Sequence, residues 1–354
     1  MAVKRRKNSR GLAQLQNQMS KSFGDDAVRL GSQTYDVHVI PTGIMALDYA
    51  LGTGGWPQGF ISHVYGPEDI GKTSSVAMYA VKEAQAKGLV PVVVALEPGF
   101  DDPEWQIKHG VDPENVLVLI PETGEEAVEM AIAAVRSGEC DLLIFDSIGA
   151  LLNESEAKDD GKVKAGGQSG LVSRLVKTIA PIAYRKHTAV ILLNQLRVTF
   201  NSQVPGATRP PGGKALGHHS VIHLRLKWGP KENGKPGKRA YTIKEGGEDV
   251  VIGRRILAVI ERNKLNEGSG HTAVWEFFIK DTGGEYPMGI DQVSDLIRTG
   301  TKTGVIKRSG AYYTLPDGEA FQGAKKLGEH VRKNPEVVNE VREGVMKVLE
   351  DVTA

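Results

Sequence analysis

The amino-acid sequence predicts an α/β fold built around a mostly parallel central sheet. Unbroken apolar runs occupy residues 90–96, 116–120, 142–145 and 189–193. Helical patterns, such as that of residues 125–136, lie between these runs. Strands that are apolar on both faces and alternate with helices are typical of a parallel sheet that helices cover on both sides.

The N-terminal segment, residues 1–36, is predicted to form a helix followed by a linker. Four apolar residues stand three or four positions apart within residues 11–24, as expected for one face of an amphipathic helix. These residues are Leu12, Leu15, Met19 and Phe23. An apolar face of this kind needs a partner surface.

Residues 37–281 are predicted to form the main domain, and residues 282–354 a small α+β C-terminal domain. The stretch after Pro335 has apolar residues at helical spacing, namely Val337, Val341, Val345 and Val348. The chain is therefore expected to end in a helix.

Composition limits the classes of protein to consider. The chain has 354 residues, of which 40% are hydrophobic and 25% are charged, values that are ordinary for a globular protein. No apolar run approaches the ~20 residues of a membrane span, and the basic N-terminus lacks the apolar stretch of a secretory signal. With Cys140 as the single cysteine, an internal disulfide and a cysteine metal cluster are both excluded. A cytosolic protein without a membrane partner is expected.

The charge is clustered although the net charge is only +1. Residues 197–214 contain Arg197, Arg209 and Lys214 and no acidic residue, and residues 4–10 carry five basic residues. Such clusters suit contacts with nucleic acid, but the N-terminal cluster fits a solvated tail equally well.

A phosphate-binding loop is the most specific motif. The run Gly66, Pro67, Glu68, Asp69, Ile70, Gly71, Lys72, Thr73 and Ser74 contains GxxxxGK[ST] between a strand pattern and a helix pattern. Glycine lets backbone N–H groups surround the phosphates, Lys72 reaches the β- and γ-phosphates, and Thr73 binds Mg²⁺. ATP and Mg²⁺ are therefore the expected cofactors.

Three polar residues follow apolar strands of the predicted sheet. Asp146 ends the strand 142–145, where nucleotide hydrolases of this class hold Mg²⁺ through a carboxylate. Glu97 ends the strand 92–96 and is predicted to activate the attacking water. Gln195 ends the strand 189–193 with Asn194, where its amide could touch the γ-phosphate.

The order of several segments resembles the RecA family over nearly the whole chain. The segments are FGDDAVRLGS (23–32), IPTGIMALDYALGTGGWPQGFISHVYGPEDIGKTS (40–74), LLIFDS (142–147), LLNQLR (192–197), GGKAL (212–216), ERNK (261–264) and GAYYTLPDGEAFQGAKK (310–326). The resemblance implies a RecA-like P-loop ATPase core, an N-terminal polymerisation segment and a helical filament with ATP bound between subunits.

The resemblance also implies roles for individual residues. Glu97 is then the catalytic glutamate, Gln195 couples the γ-phosphate to a DNA-binding loop, and Asp102 and Trp105 lie beside the adenine. Arg262 and Lys264 correspond to a basic pair that reaches the ATP of the neighbouring subunit.

Two loops are expected to bind DNA. The second loop, Arg197 to Lys214, combines basic residues for phosphates with apolar Phe200 and Val204, which could wedge between bases. Its assigned contacts are Arg197, Phe200, Val204, Arg209, Gly212, Gly213 and Lys214. The first loop, residues 156–169, is assigned as a region, together with Ser169 and Arg174.

The expected function is that of an ATP-dependent recombinase that forms filaments on single-stranded DNA and pairs it with homologous duplex DNA. A hexameric helicase with the same core and a nucleotide-gated DNA-binding mediator are the alternatives. Single-strand-binding and mediator proteins are further expected partners. The expected compartment is the bacterial cytoplasm, or the host cytoplasm if a phage encodes the chain.

Overall fold

A computed structural model describes residues 2–32, 37–151, 167–198, 208–230, 240–266, 270–282 and 288–353. Contacts divide the chain into two units, residues 1–38 and residues 39–354. The division lies close to the boundary predicted after residue 36. The boundary predicted after residue 281 stays a prediction, because the C-terminal elements belong to the same unit as the core.

The first unit contains helix α1 (Ala2–Phe23) and a short 3₁₀ turn at Asp25–Ala27. The helix covers the predicted stretch up to Phe23 but begins earlier. Leu12, Leu15 and Phe23 are 53%, 53% and 67% exposed. Three of the four apolar residues of the predicted face are therefore exposed, and Met19 is half-buried.

The second unit is built on a mixed sheet. Its strands, and two short strand pairs apart from it, are β1 (Val39–Ile40), β2 (Trp56–Pro57), β3 (Ile61–Gly66), β4 (Pro91–Ala95), β5 (Leu117–Leu119), β6 (Leu142–Asp146), β7 (Ala189–Gln195), β8 (Arg197–Val198), β9 (Thr208–Arg209), β10 (Ser220–Trp228), β11 (Ala240–Glu245), β12 (Glu248–Asn263), β13 (Thr272–Phe278) and β14 (Gly289–Ile290). The order across the sheet is β14-β13-β12-β10-β3-β7-β6-β4-β5, with β11 also paired to β12. The six strands from β10 to β5 are parallel, and β11 to β14 add an antiparallel part. The mostly parallel sheet is thus confirmed.

Helices cover both faces of the parallel part. The helices of this unit are α2 (Met45–Leu51), α3 (Met78–Ala86), α4 (Pro103–Lys108), α5 (Gly124–Ser137), α6 (Gly167–Lys186), α7 (Gly213–His219), α8 (Gln292–Thr303), α9 (Ala324–Lys333) and α10 (Pro335–Thr353). Successive residues of β4 enter different cores: Val93 packs in the core that contains α3, whereas Val92 and Val94 pack in the core that contains α5 and α6. Burial on both faces explains why the strands are unbroken apolar runs in the sequence.

The C-terminal elements form a third apolar core. Helices α8 to α10 and a three-stranded sheet, β15 (Lys307–Ser309), β16 (Tyr312–Thr314) and β17 (Ala320–Gln322), surround it. Asp295 of α8 accepts hydrogen bonds from the backbone N–H groups of Met45 (2.6 Å) and Ala46 (3.1 Å) at the start of α2. This carboxylate ties the C-terminal elements to the core.

Among the described residues, no helix is long and apolar enough to cross a membrane. Cys140 is 2% exposed, and burial, assisted by the charge of Asp141, raises the pKa of its thiol to about 12.

Candidate nucleotide and DNA site

The phosphate-binding loop follows β3, which lies between β10 and β7 in the parallel part of the sheet. The helix after the loop opens with a wide π-helical turn at Lys72–Ala77 and continues as α3. Gly71 has φ 92°, a left-handed conformation that glycine adopts without the strain of a side chain. The strand, loop and helix predicted for this motif are therefore all present.

The polar residues predicted at the strand ends meet at one edge of the sheet. The hydroxyl of Thr73 donates to Asp146 Oδ2 (2.7 Å), and the side-chain amide of Gln195 donates to Glu97 Oε1 (2.8 Å). Ser147 also donates to Glu97 Oε1. Two neighbours thus orient the Glu97 carboxylate, and its role as a base that activates water stays a prediction.

Burial shifts the pKa values of Lys72 and Asp146, two charged groups beside the phosphate loop. Burial lowers the pKa of the Lys72 ammonium, while the nearby carboxylates of Glu97 and Asp146 oppose that change. Burial also raises the pKa of Asp146 to about 6, against the hydrogen bond from Thr73. Lys72 Nζ donates to the Pro67 carbonyl (2.7 Å), so the ammonium lies directly against the loop.

The donor set at Thr73 and Asp146 fits Mg²⁺. This ion favours oxygen ligands and in nucleotide sites takes few from the protein, the others coming from phosphates and water. A hydroxyl and a buried carboxylate that share a hydrogen bond beside the phosphate loop supply such a pair. Bound Mg²⁺ would offset the charge of a carboxylate that burial disfavours.

A cavity of about 440 Å³ extends from the phosphate loop toward an apolar wall. Glu68, Asp69, Gly71, Lys72, Thr73, Ser74, Glu97 and Gln195 line its polar side, and Trp105, Phe277 and Ile279 line the apolar wall. The predicted placement of Trp105 suits a base-binding wall. Asp102 is not among the lining residues; its carboxylate instead accepts from the backbone of Glu104 (2.9 Å) and Trp105 (3.2 Å) and caps α4. Its assigned contact with adenine stays a prediction.

Arg254 is a cavity residue that the sequence did not suggest. Its guanidinium donates to the Asp69 carbonyl within the phosphate loop and lies 5.3 Å from the centre of the Trp228 ring. Burial lowers the pKa of Arg254, and Asp69 opposes that effect. Neither Arg254 nor the apolar residues Phe277 and Ile279 belong to a motif, so no local pattern could have identified them.

The predicted basic pair lies at the end of β12 and does not line the cavity of its own chain. Arg262 Nη1 donates to the Gly217 carbonyl (2.9 Å), and Lys264 donates to the His218 carbonyl. Both side chains are exposed. Their role toward a neighbouring subunit stays a prediction that this position favours.

The second loop starts two residues after Gln195. Strand β8 begins at Arg197 and pairs with β9, with Arg197 opposite Arg209, and Arg197 also donates to the Gly149 carbonyl (2.7 Å). The loop ends in Gly212 and Gly213, with φ 118° and 71°, and Lys214 follows in the first turn of α7. Phe200 and Val204 lie outside the described residues.

Little of the first loop can be placed. Residues 156–166 and the side chain of Ser169 lie outside the described part of the chain. Arg174, on α6, is 53% exposed and forms an ion pair with Glu129. Its contact with DNA stays a prediction.

Two family models and curated relatives match most of the chain. Family models described as the RecA N-terminal domain and the RecA C-terminal domain match residues 10–264 and 294–350. Protein RecA of Saccharopolyspora erythraea is 35% identical over 335 residues, which cover 94% of this chain and 90% of that protein. Protein RecA of Frankia alni is 34% identical with the same coverage. A crystal structure of the RadB recombinase matches 71% of this chain and 98% of its own chain, with 23% identity and a TM-score of 0.49.

Proposed function

The chain belongs to the RecA family of ATP-dependent recombinases, and we propose that it polymerises on single-stranded DNA, hydrolyses ATP between subunits and exchanges strands with homologous duplex DNA. The observation that carries this proposal is the short path from Glu97 through Gln195 to Arg197. The amide of Gln195 is hydrogen-bonded to Glu97 (2.8 Å), and the second loop starts two residues later.

The site residues divide the reaction between them. Lys72 and the backbone of the phosphate loop bind the phosphates, and Glu97, oriented by Ser147 and Gln195, takes a proton from the attacking water. When Mg²⁺ is bound, Thr73 and Asp146 hold it, and it supplies positive charge at the phosphates. Movement of the Gln195 amide toward the γ-phosphate would break its bond with Glu97 and shift the loop that begins at Arg197.

The neighbouring subunit completes the site in this proposal. Arg262 and Lys264 are exposed and do not line the cavity of their own chain, which supports a role at the phosphates of another chain's site. The open apolar face of α1 is the proposed polymerisation surface. We propose the bacterial cytoplasm as the location of this assembly, or the host cytoplasm if a phage encodes the chain, with single-strand-binding and mediator proteins as further partners.

Negative-stain electron microscopy of the full chain with single-stranded DNA and a slowly hydrolysed ATP analogue tests the assembly. Long helical filaments are expected, and closed rings would instead support a hexameric helicase. ATPase assays on two variants test the site residues. Lys72→Ala should lose ATP turnover. Glu97→Ala should still assemble on DNA but hydrolyse ATP slowly, because this change removes no contact with the phosphates. Glu139→Ala, at an exposed position away from the cavity, is the matched control for Glu97→Ala.

A mixing experiment tests the contribution of the neighbouring subunit. A variant with Arg262→Ala and Lys264→Ala should bind nucleotide but show little DNA-stimulated ATPase. Added to Lys72→Ala protein, it should restore some activity, because mixed interfaces join an intact loop to an intact basic pair. If the two proteins assembled together on DNA and stayed inactive, the role in the neighbour's site would be wrong.

A further inference from the structure

A chain of polar side chains runs across three neighbouring strands and starts at the catalytic edge, the edge of the sheet where Glu97, Asp146 and Gln195 meet. His63 of β3 is paired in register with His223 of β10, and their Nδ1 atoms are 3.4 Å apart. On the other side, His63 Nε2 is 3.1 Å from the side-chain nitrogen of Asn194, on β7. His63 and Asn194 are 2% and 0% exposed, so these contacts are shielded from water.

The partners of Asn194 fix the direction of every hydrogen bond in this chain. Its nitrogen donates to the Pro211 carbonyl (2.8 Å), and its oxygen accepts from the backbone N–H of Gln195 (2.9 Å). A flipped amide would set oxygen against the Pro211 carbonyl and nitrogen against the Gln195 N–H. The nitrogen therefore faces His63 Nε2, which must act as an acceptor.

The proton positions on both rings follow. Burial, and then the neighbouring His223, lowers the pKa of His63 to about 3; burial, and then Arg262, lowers the pKa of His223. Both rings are therefore neutral near pH 7, and a neutral imidazole has one donor and one acceptor. Since His63 Nε2 accepts, its proton is on Nδ1 and is donated to His223 Nδ1. The proton of His223 must then be on Nε2.

The far end of the chain reaches the predicted basic pair. His223 Nε2 is buried and makes no hydrogen bond within the described residues. The Gly217 carbonyl is close enough to favour the protonated ring of His223, and the same carbonyl accepts from Arg262 Nη1 (2.9 Å). Arg262 is also the residue that pairs with His223 across β10 and β12. One carbonyl thus has one donor bound and a second buried donor beside it.

We propose that His63 and His223 are positioning residues that hold the Asn194 amide in place. Through Asn194 they fix Gln195 and the end of the second loop at Pro211. Through His223 they connect this region to the Gly217 carbonyl, which binds Arg262. When Arg262 turns to the neighbour's nucleotide, His223 takes the released carbonyl. The link therefore joins the subunit's own catalytic edge to the cation it offers its neighbour, and this part rests on the proposed function.

Nuclear magnetic resonance of the full chain, labelled with ¹⁵N in histidine, tests the link without any variant. We expect a through-hydrogen-bond coupling between two imidazole nitrogens, and the two rings in opposite tautomers, one protonated on Nδ1 and one on Nε2. His63 should not titrate between about pH 6 and 8, and His223 should titrate below the ordinary 6.5 of an exposed histidine. Absence of the coupling, or two rings in the same tautomer, would overturn the proposal even if the protein proved not to be a recombinase.

Variants then test the coupling to activity. His63→Leu and His223→Leu should each lower the DNA-stimulated kcat by about tenfold with little change in the KM for ATP, and the double variant should lose no more than either one. The double variant replaces both rings with apolar groups, so it is the safer one to fold. Ser62→Ala, on the opposite face of β3, is the matched control and should keep wild-type rates.

Losses that multiply to about a hundredfold in the double variant would mean that the two histidines act separately, which contradicts the proposal. A wild-type protein without DNA-stimulated ATPase would instead contradict the proposed function. In that case the histidine coupling still decides whether the link exists.

Discussion

Replacing Glu276 with glutamine should destabilise the protein in a way that depends on pH. The Glu276 carboxylate is 4% exposed and lies between two arginines. It accepts from Arg255 Nε (2.8 Å) and, through both oxygens, from Arg298 Nη2 (2.8 and 2.7 Å). Because Arg255 is on β12 and Arg298 is on α8, this group joins the sheet to the C-terminal elements.

The size of the effect follows from burial. Removing one partner of a buried ion pair costs ~3–5 kcal/mol, since the remaining charge is left uncompensated. Arg298 is 36% exposed and its charge is partly screened by water, so the expected loss for Glu276→Gln is reduced to about 2–3 kcal/mol at pH 7. Urea unfolding followed by tryptophan fluorescence measures this loss of stability, because Trp275 is buried and immediately precedes Glu276 in the sequence.

The pH dependence separates the lost charge from a change in packing. Burial alone would raise the pKa of Glu276, but Arg298 and Arg255 outweigh burial and hold the pKa below the ordinary 4.5. The stabilisation is therefore present above pH ~4.5 and is lost as the pH falls through the lower folded-state pKa. The difference in unfolding free energy between the wild type and Glu276→Gln should therefore decrease as the pH is lowered. Glu245→Gln, which breaks an exposed pair with Lys280, should cost under about 1 kcal/mol. A gap for Glu276→Gln that did not change with pH would refute the argument.

Three further outcomes are expected. Arg254→Met should raise the KM for ATP more than it lowers kcat in steady-state assays, because the side chain braces the phosphate loop; an unchanged KM would contradict this. Fluorescence anisotropy measures the affinity for single-stranded DNA at several salt concentrations. Arg197→Ala should reduce the slope of log affinity against log salt concentration by about 0.7, whereas Phe200→Ala should weaken binding by roughly 1–3 kcal/mol without changing that slope. Normal binding by both variants would exclude the second loop as a DNA-binding element. Leu12→Glu should prevent filament formation in sedimentation assays but change the unfolding free energy by less than about 0.5 kcal/mol, and filaments that survived it would rule out the α1 face.

The position of Glu97, Asp146 and Gln195 at one edge of the sheet can be predicted from the sequence because the signals are local. Each parallel strand is a short apolar run, so the residue that ends it can be assigned to the edge where ligands bind. This reasoning places Glu97, Asp146 and Gln195 at one edge of the sheet. In the fold, hydrogen bonds join Gln195 to Glu97 and Thr73 to Asp146 at that edge.

Contacts between residues distant in sequence were not predicted. Arg254 reaches the carbonyl of Asp69 across 185 positions, and His63 meets His223 across 160. These contacts depend on how β3, β10 and β12 are placed side by side in the sheet, and strand register cannot be derived from one strand alone. Phe277 and Ile279 were missed for the same reason, since the apolar wall they form is assembled from a strand late in the chain.

The burial of Cys140 makes this chain a convenient carrier for thiol-specific probes. A thiol whose pKa is about 12 has almost no thiolate at neutral pH, and the thiolate is the form that reacts. Thr208 is exposed and begins β9 at the end of the second loop. A Thr208→Cys variant would therefore be labelled selectively at position 208, and Cys140 would not have to be replaced. A fluorophore at that position could report movement of the loop as ATP and DNA bind.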